Sequence, residues 1–113
     1  MKISILLPYK ENFSPIYPGA VSLFVRDTVR LSKYRKNITI YGNTDLKKKF
    51  NLKYFNIPLS KIRFQSKSRV YVSEFLKLEK KNPSDLIEIH NRPNYLEELV
   101  ENLDHRNFVL YFF

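Results

Sequence analysis

The chain predicts a Rossmann-like α/β fold, a mainly parallel sheet flanked by helices, within a single domain of residues 1–113. Three observations carry that expectation. Short runs rich in β-branched residues alternate with stretches whose apolar residues recur at helical spacing. The predicted strands are apolar almost throughout, as strands covered on both faces are. Neither an internal repeat nor a low-complexity linker interrupts the 113 residues, a length that suits one domain with a real core.

Taken in order, KISILL at residues 2–7 reads as a first strand stopped by Pro8. Residues 9–19, YKENFSPIYPG, hold two prolines and a glycine and read as a loop. From Ala20 to about Tyr34, the residues Val21, Phe24, Val25, Thr28, Val29 and Leu31 mark one helix face, with Arg26, Asp27, Arg30 and Lys33 opposite. NITIY at 37–41 is a strand closed by Gly42-Asn43. Thr44 to Lys49 reads as a helical turn, and 53–58 and 61–65 as short strands. Ser68 to Lys81 carries Val72, Phe75, Leu76 and Glu79 at helical intervals and stops before Asn82-Pro83. DLIEI at 85–89 is a strand leading into His90-Asn91-Arg92-Pro93. A third helix follows, with Tyr95, Leu96, Leu99, Val100 and Leu103 inward, started by an Asn94/Glu97 capping box or by Pro93 at its first position. The apolar run Phe108–Phe113 closes the chain as a strand expected to be buried.

Composition narrows the chemistry. Cysteine is absent, which excludes disulfides, thiolate metal sites and a thiol nucleophile. Two histidines make no metal cluster, so neither a metal nor another cofactor is expected. The N-terminus lacks the features of a signal peptide, no stretch is long enough to span a bilayer, and the chain reads as cytoplasmic. Twenty basic against eleven acidic residues give a net charge of +9, which favours an anionic partner: nucleic acid, a phosphorylated small molecule or an anionic membrane surface. No helix-turn-helix, RNP-like or zinc signature supports nucleic acid. A solvated basic surface explains the same charge.

Ligands of open parallel sheets bind beyond the carboxyl ends of the strands, which selects two places. One is the loop after the first strand, where Gly19 permits close approach and the N–H groups beginning at Ala20 can accept an anion; a tight turn alone would also explain Gly19. The other is His90-Asn91-Arg92. His90 could polarise a leaving group or donate to a hydroxyl, or could be a satisfied structural histidine. Arg92 could hold a phosphate or carboxylate, or be solvated. His105, between Asp104 and Arg106, reads as surface.

Together KISILLP, the loop ending Tyr17-Pro18-Gly19-Ala20-Val21, the helix VSLFVRDTVRLSK, NITIYG, DLIEIHNRP and FVLYF resemble the N-terminal, acceptor-side part of a GT-B glycosyltransferase of the family-4 type. The resemblance implies transfer of a sugar from a nucleotide-sugar donor, a co-substrate rather than a cofactor, to a hydroxyl of a glycan or lipid-linked acceptor. It implies that Gly19 and Ala20 give backbone contacts to phosphate or acceptor, with Ala20 standing where a second glycine is common. It assigns His90 to the transferred sugar, with Asn91 and Arg92 beside it in place of a shorter acidic-Pro turn. It implies a truncated chain, cut before the rest of that domain and before the second domain that holds most sugar-nucleotide contacts, so the isolated 113 residues would have little or no activity. An uncovered sheet edge near Phe108–Phe113 would then drive self-association, and basic residues with Phe13, Ile16 and Tyr17 as an apolar tip could rest on anionic lipid. A non-catalytic subunit that pairs through the same edge is the alternative.

Overall fold

In the computed structural model, residues 1–59, 65–104 and 106–112 are described. Five parallel strands, β1 (Ile3–Leu6), β2 (Ile38–Gly42), β3 (Tyr54–Asn56), β4 (Leu86–His90) and β5 (Asn107–Tyr111), form one sheet in the order β3-β2-β1-β4-β5. Three helices connect them: α1 (Ala20–Leu31), α2 (Lys67–Lys81) and α3 (Pro93–Asn102), with one 3₁₀ turn at Arg35–Asn37. This is the Rossmann-like α/β architecture the sequence predicts. The strand order reverses at β1, so the loops after β1 and β4 diverge and leave a crevice at the carboxyl edge.

Each sheet face has its own core. On one, Val21, Val25 and Val29 of α1 pack on Ile3, Ile5, Ile38 and Ile40, and Leu7 and Phe13 extend that cluster. On the other, Tyr71, Val72, Phe75 and Leu76 of α2 and Tyr95 and Leu99 of α3 cover Leu6, Tyr41, Ile87 and Ile89. Burying one such side chain contributes roughly 1.5–3 kcal/mol, so these two clusters dominate stability. At the amino edge the buried Glu79 carboxylate accepts from the Ser84 N–H at 3.0 Å and from the Ser84 hydroxyl, and meets Arg106 Nε at 3.3 Å. Arg106 also donates to the Glu79 carbonyl, which ties α2, the entry to β4 and the entry to β5 together. A buried carboxylate is tolerable only when it is paired and hydrogen-bonded in this way.

Several sequence expectations shift. The segment Thr44–Lys49 is not helical, because Thr44 bonds elsewhere: its N–H to Asn56 Oδ1 and its hydroxyl to Asn12 Oδ1, while the Leu46 N–H turns back onto the Thr44 hydroxyl. Strand 53–58 shortens to β3, and residues 61–64 of the other short strand lie outside the described residues. β4 runs one residue further, taking His90 into the strand. Pro93 is the first helical residue of α3, and Val100 and Leu31, expected inward, are exposed, Leu31 by 89%. β5 is an edge strand rather than a buried one: Phe108 and Leu110 pack on the α2/α3 core, while Val109, Tyr111 and Phe112 are exposed. No described helix is long and apolar enough to cross a membrane.

Candidate functional site

A cleft of about 670 Å³ opens at the carboxyl edge, lined by Tyr9, Lys10, Asn12 and Tyr17 from the loop after β1 and by Asn43–Leu46 after β2. Leu59 and Lys67, the first residue of α2, complete its wall. The walls are cross-tied. Asn12 donates to the Tyr17 carbonyl at 3.3 Å and accepts from Thr44 at 2.9 Å, joining the two loops. The Tyr95 hydroxyl of α3 accepts from the Tyr9 N–H and bonds Ser68 of α2, both at 3.1 Å.

Among the described residues, two of the non-glycine residues with left-handed backbone line this cleft, and the third follows β4. Lys10, Tyr17 and Asn91 have φ of 67°, 49° and 55°, the left-handed region that non-glycine residues seldom adopt. Lys10 sits at the third position of a turn closed by the Glu11 N–H on the Pro8 carbonyl, where glycine is the ordinary choice. Each such residue costs on the order of 1–3 kcal/mol unless its surroundings enforce it, and such residues gather at ligand sites. Tyr17 is 83% exposed, so its strain presents an aromatic ring to solvent at the cleft rim.

The electrostatics favour an anion. Lys10 Nζ lies 5.7 Å from the Tyr9 ring centroid, and Lys67 opens α2, whose N-terminal partial charge is also positive. Asp45 is the carboxylate that lines the cleft. Asn12, Asn43 and Thr44 add neutral hydrogen-bonding groups.

The residues singled out from sequence lie beside this cleft in different roles. Gly19 caps α1 with φ −76°, so its value is space rather than left-handed freedom. A methyl there would overlap the carboxylate of Glu11, which accepts from the Ser22 N–H at 3.1 Å. The anion at the N-terminus of α1 is therefore the chain's own Glu11, with Ala20 exposed in the first turn. His90 is fully buried: its ring stacks on Tyr111 (centroids 4.9 Å, 8° between planes), meets Phe24 edge-on at 5.8 Å, and bonds Glu88 Oε2 at 2.7 Å through Nε2. Glu88, and then partial burial, raise the Tyr111 hydroxyl above its ordinary range. A ligand reaching the imidazole must displace Tyr111 or Phe24. Asn91 donates its N–H to the Tyr111 carbonyl at 2.8 Å, which pins the end of β5, and Arg92 is exposed with Nη1 on the Asn91 carbonyl. Of the suggested apolar tip, Phe13 is buried, stacked on Tyr54 at 5.3 Å, while Ile16 and Tyr17 are exposed. His105 lies outside the described residues.

Sequence reasoning missed Lys10, Asn43, Thr44, Asp45 and Lys67. The carboxyl-edge rule, applied to the loop after β2 as well, would have found Asn43–Asp45; Lys67 comes into place only through the tertiary fold. Among the described residues no group of acidic and histidine side chains is arranged to hold a metal. Comparison with protein-family models, curated proteins and solved structures finds no match to this chain.

Proposed function

We propose that this chain carries the acceptor-side half-site of a GT-B-type glycosyltransferase, which moves a sugar from a nucleotide-sugar donor to a hydroxyl of a glycan or lipid-linked acceptor. The observation that supports it is the cleft itself: tyrosine faces, paired lysines and neutral hydrogen-bonding side chains meet at the carboxyl edge of a Rossmann-like sheet. Tyr9 and Tyr17 suit the C–H faces of a sugar ring, and Asn12 and Asn43 suit its hydroxyls, with the buried Thr44 hydroxyl holding Asn12 in place. Lys10 and Lys67 suit a phosphate attached to it. Asp45 is the carboxylate positioned to accept a proton from an acceptor hydroxyl. His90 acts from behind as a positioning residue, bonded to Glu88 of β4 and stacked on Tyr111 of β5.

Saturation-transfer NMR with a hexose 1-phosphate and a neutral oligosaccharide tests this reading. Both should receive magnetisation, the phosphate more strongly, and K10Q/K67Q should weaken the phosphate at least about tenfold. Absence of transfer to either sugar, or equal transfer in the double variant, would remove its support.

A further inference from the structure

A second basic groove lies away from the carboxyl-edge cleft. It encloses about 490 Å³ and is lined by Arg26 and Arg30 of α1, by Arg35 in the 3₁₀ turn, and by Phe50, Asn51 and Leu52 between β2 and β3. Three arginines line one groove. The opposing acid is Asp27, whose Oδ1 lies 2.8 Å from Arg26 Nε. That hydrogen bond, and then the charges of Arg26 and Arg30, hold the Asp27 carboxyl below its ordinary range, so it stays ionised and occupies one edge of one guanidinium.

Like charges four residues apart on a helix are unfavourable by about 0.2–0.5 kcal/mol, so Arg26 and Arg30 are not placed together for stability. The helix dipole accounts for Arg30 in the last turn of α1 but not for Arg26 or Arg35. Arg26 is also pre-oriented. Its Cζ lies 5.0 Å over the Phe50 ring and its Nε is fixed on Asp27, which leaves its Nη groups as a fork. A planar fork with two further guanidiniums alongside matches a tetrahedral oxyanion carrying more than one charge. Lys47–Lys49, on the loop that leads into Phe50, add to the local positive potential.

We infer that the Arg26–Arg30–Arg35 groove binds a phosphate or diphosphate group, independently of the sugar cleft. Two sources carry that chemistry, a soluble phosphorylated compound and the headgroup of a lipid. The same groove serves either.

Site-resolved NMR separates this from bulk charge. Inorganic pyrophosphate is titrated into the full chain while the Nε–H signals of all arginines and the backbone amides of Asn51 and Leu52 are followed. Arg26, Arg30 and Arg35 should shift together and saturably, with Asn51 and Leu52, while Arg69 and Arg92 move little. R30Q/R35Q should weaken the remaining Arg26 response by about tenfold or more, and K80Q/K81Q, which removes the same charge from the end of α2, should not. A parallel sedimentation assay uses phosphatidylcholine vesicles with and without phosphatidic acid. Binding to the acid-containing vesicles that R30Q/R35Q abolishes assigns the headgroup, and a response to pyrophosphate alone assigns a soluble phosphate. The inference is overturned if the three arginines stay unmoved by pyrophosphate and vesicles alike. It is equally overturned if every arginine shifts in parallel, or if R30Q/R35Q behaves as the parent.

Discussion

Glu11 and Gly19 show how one residue's chemistry depends on another's lack of a side chain. The Glu11 carboxylate reaches the first turn of α1 only because Gly19 has no Cβ. G19A should therefore displace that carboxylate rather than strain the backbone, since φ of −76° suits alanine. The expected loss is about 1 kcal/mol, the ordinary worth of a cap. E11Q should lose a similar amount, and the double variant little more than either alone; additive losses in urea unfolding would contradict the shared contact. His90 gives a second residue-scale test. With its ring under Tyr111 and Phe24, it should resist diethylpyrocarbonate, and Y111A should make it reactive by an order of magnitude or more. Equal reactivity in the parent would mean that the imidazole is open to ligand.

Among the elements, α2 joins several parts. Its Tyr71 hydroxyl donates to the Leu7 carbonyl at 2.6 Å and lies 3.3 Å from the Tyr41 carbonyl, at the carboxyl ends of β1 and β2. Burial pushes the Tyr71 hydroxyl well above its ordinary value of 10.0, with nearby tyrosines adding to the effect, and burial raises Tyr54 as well. Raised folded values mean that the native state keeps protons the unfolded chain releases. The resulting stability is complete below pH 10.0, the unfolded value, and is lost as pH climbs through the folded ones. Unfolding free energy should thus fall above about pH 10, and Y71F should make that fall shallower while costing about 1–2 kcal/mol at neutral pH. A pH slope unchanged by Y71F would contradict the assignment. The helices were legible in sequence because Val21, Val25 and Val29, or Val72, Phe75 and Leu76, recur at helical spacing. Spacing also put Glu79 on the buried face, but its partners Ser84 and Arg106 come from other elements that no local pattern joins. The apolar run Phe108–Phe113 overstated the burial of β5, because such a run reports composition, not rank within a sheet; strand order puts β5 at an edge, where an uncovered edge was expected. Residues 44–49 escaped because Asn12 and Asn56, distant in sequence, take up the polar groups of Thr44 at the segment's start.

For the whole molecule, strand order does what no single motif does. All five strands run parallel, so the loops after β1 and β2 leave the sheet at one edge, and with the start of α2 they form the tyrosine- and lysine-lined cleft beside the β1/β4 reversal. The side chains named from sequence at the carboxyl edge are not the ones that line the cleft there. His90 is enclosed, the N-terminus of α1 is filled by Glu11, and the exposed polar groups belong to neighbouring loops. Three left-handed non-glycine residues at that edge are the backbone's record of the same geometry. On the proposed function this cleft, rather than the histidine or the α1 terminus, receives the ligand. Mapping amide shifts by ¹H–¹⁵N NMR as a hexose 1-phosphate is added tests it most directly. Perturbations should cluster at Tyr9–Tyr17, Asn43–Leu46 and Lys67; shifts centred instead on Glu88–Arg92 and Tyr111, with the cleft unmoved, would contradict it.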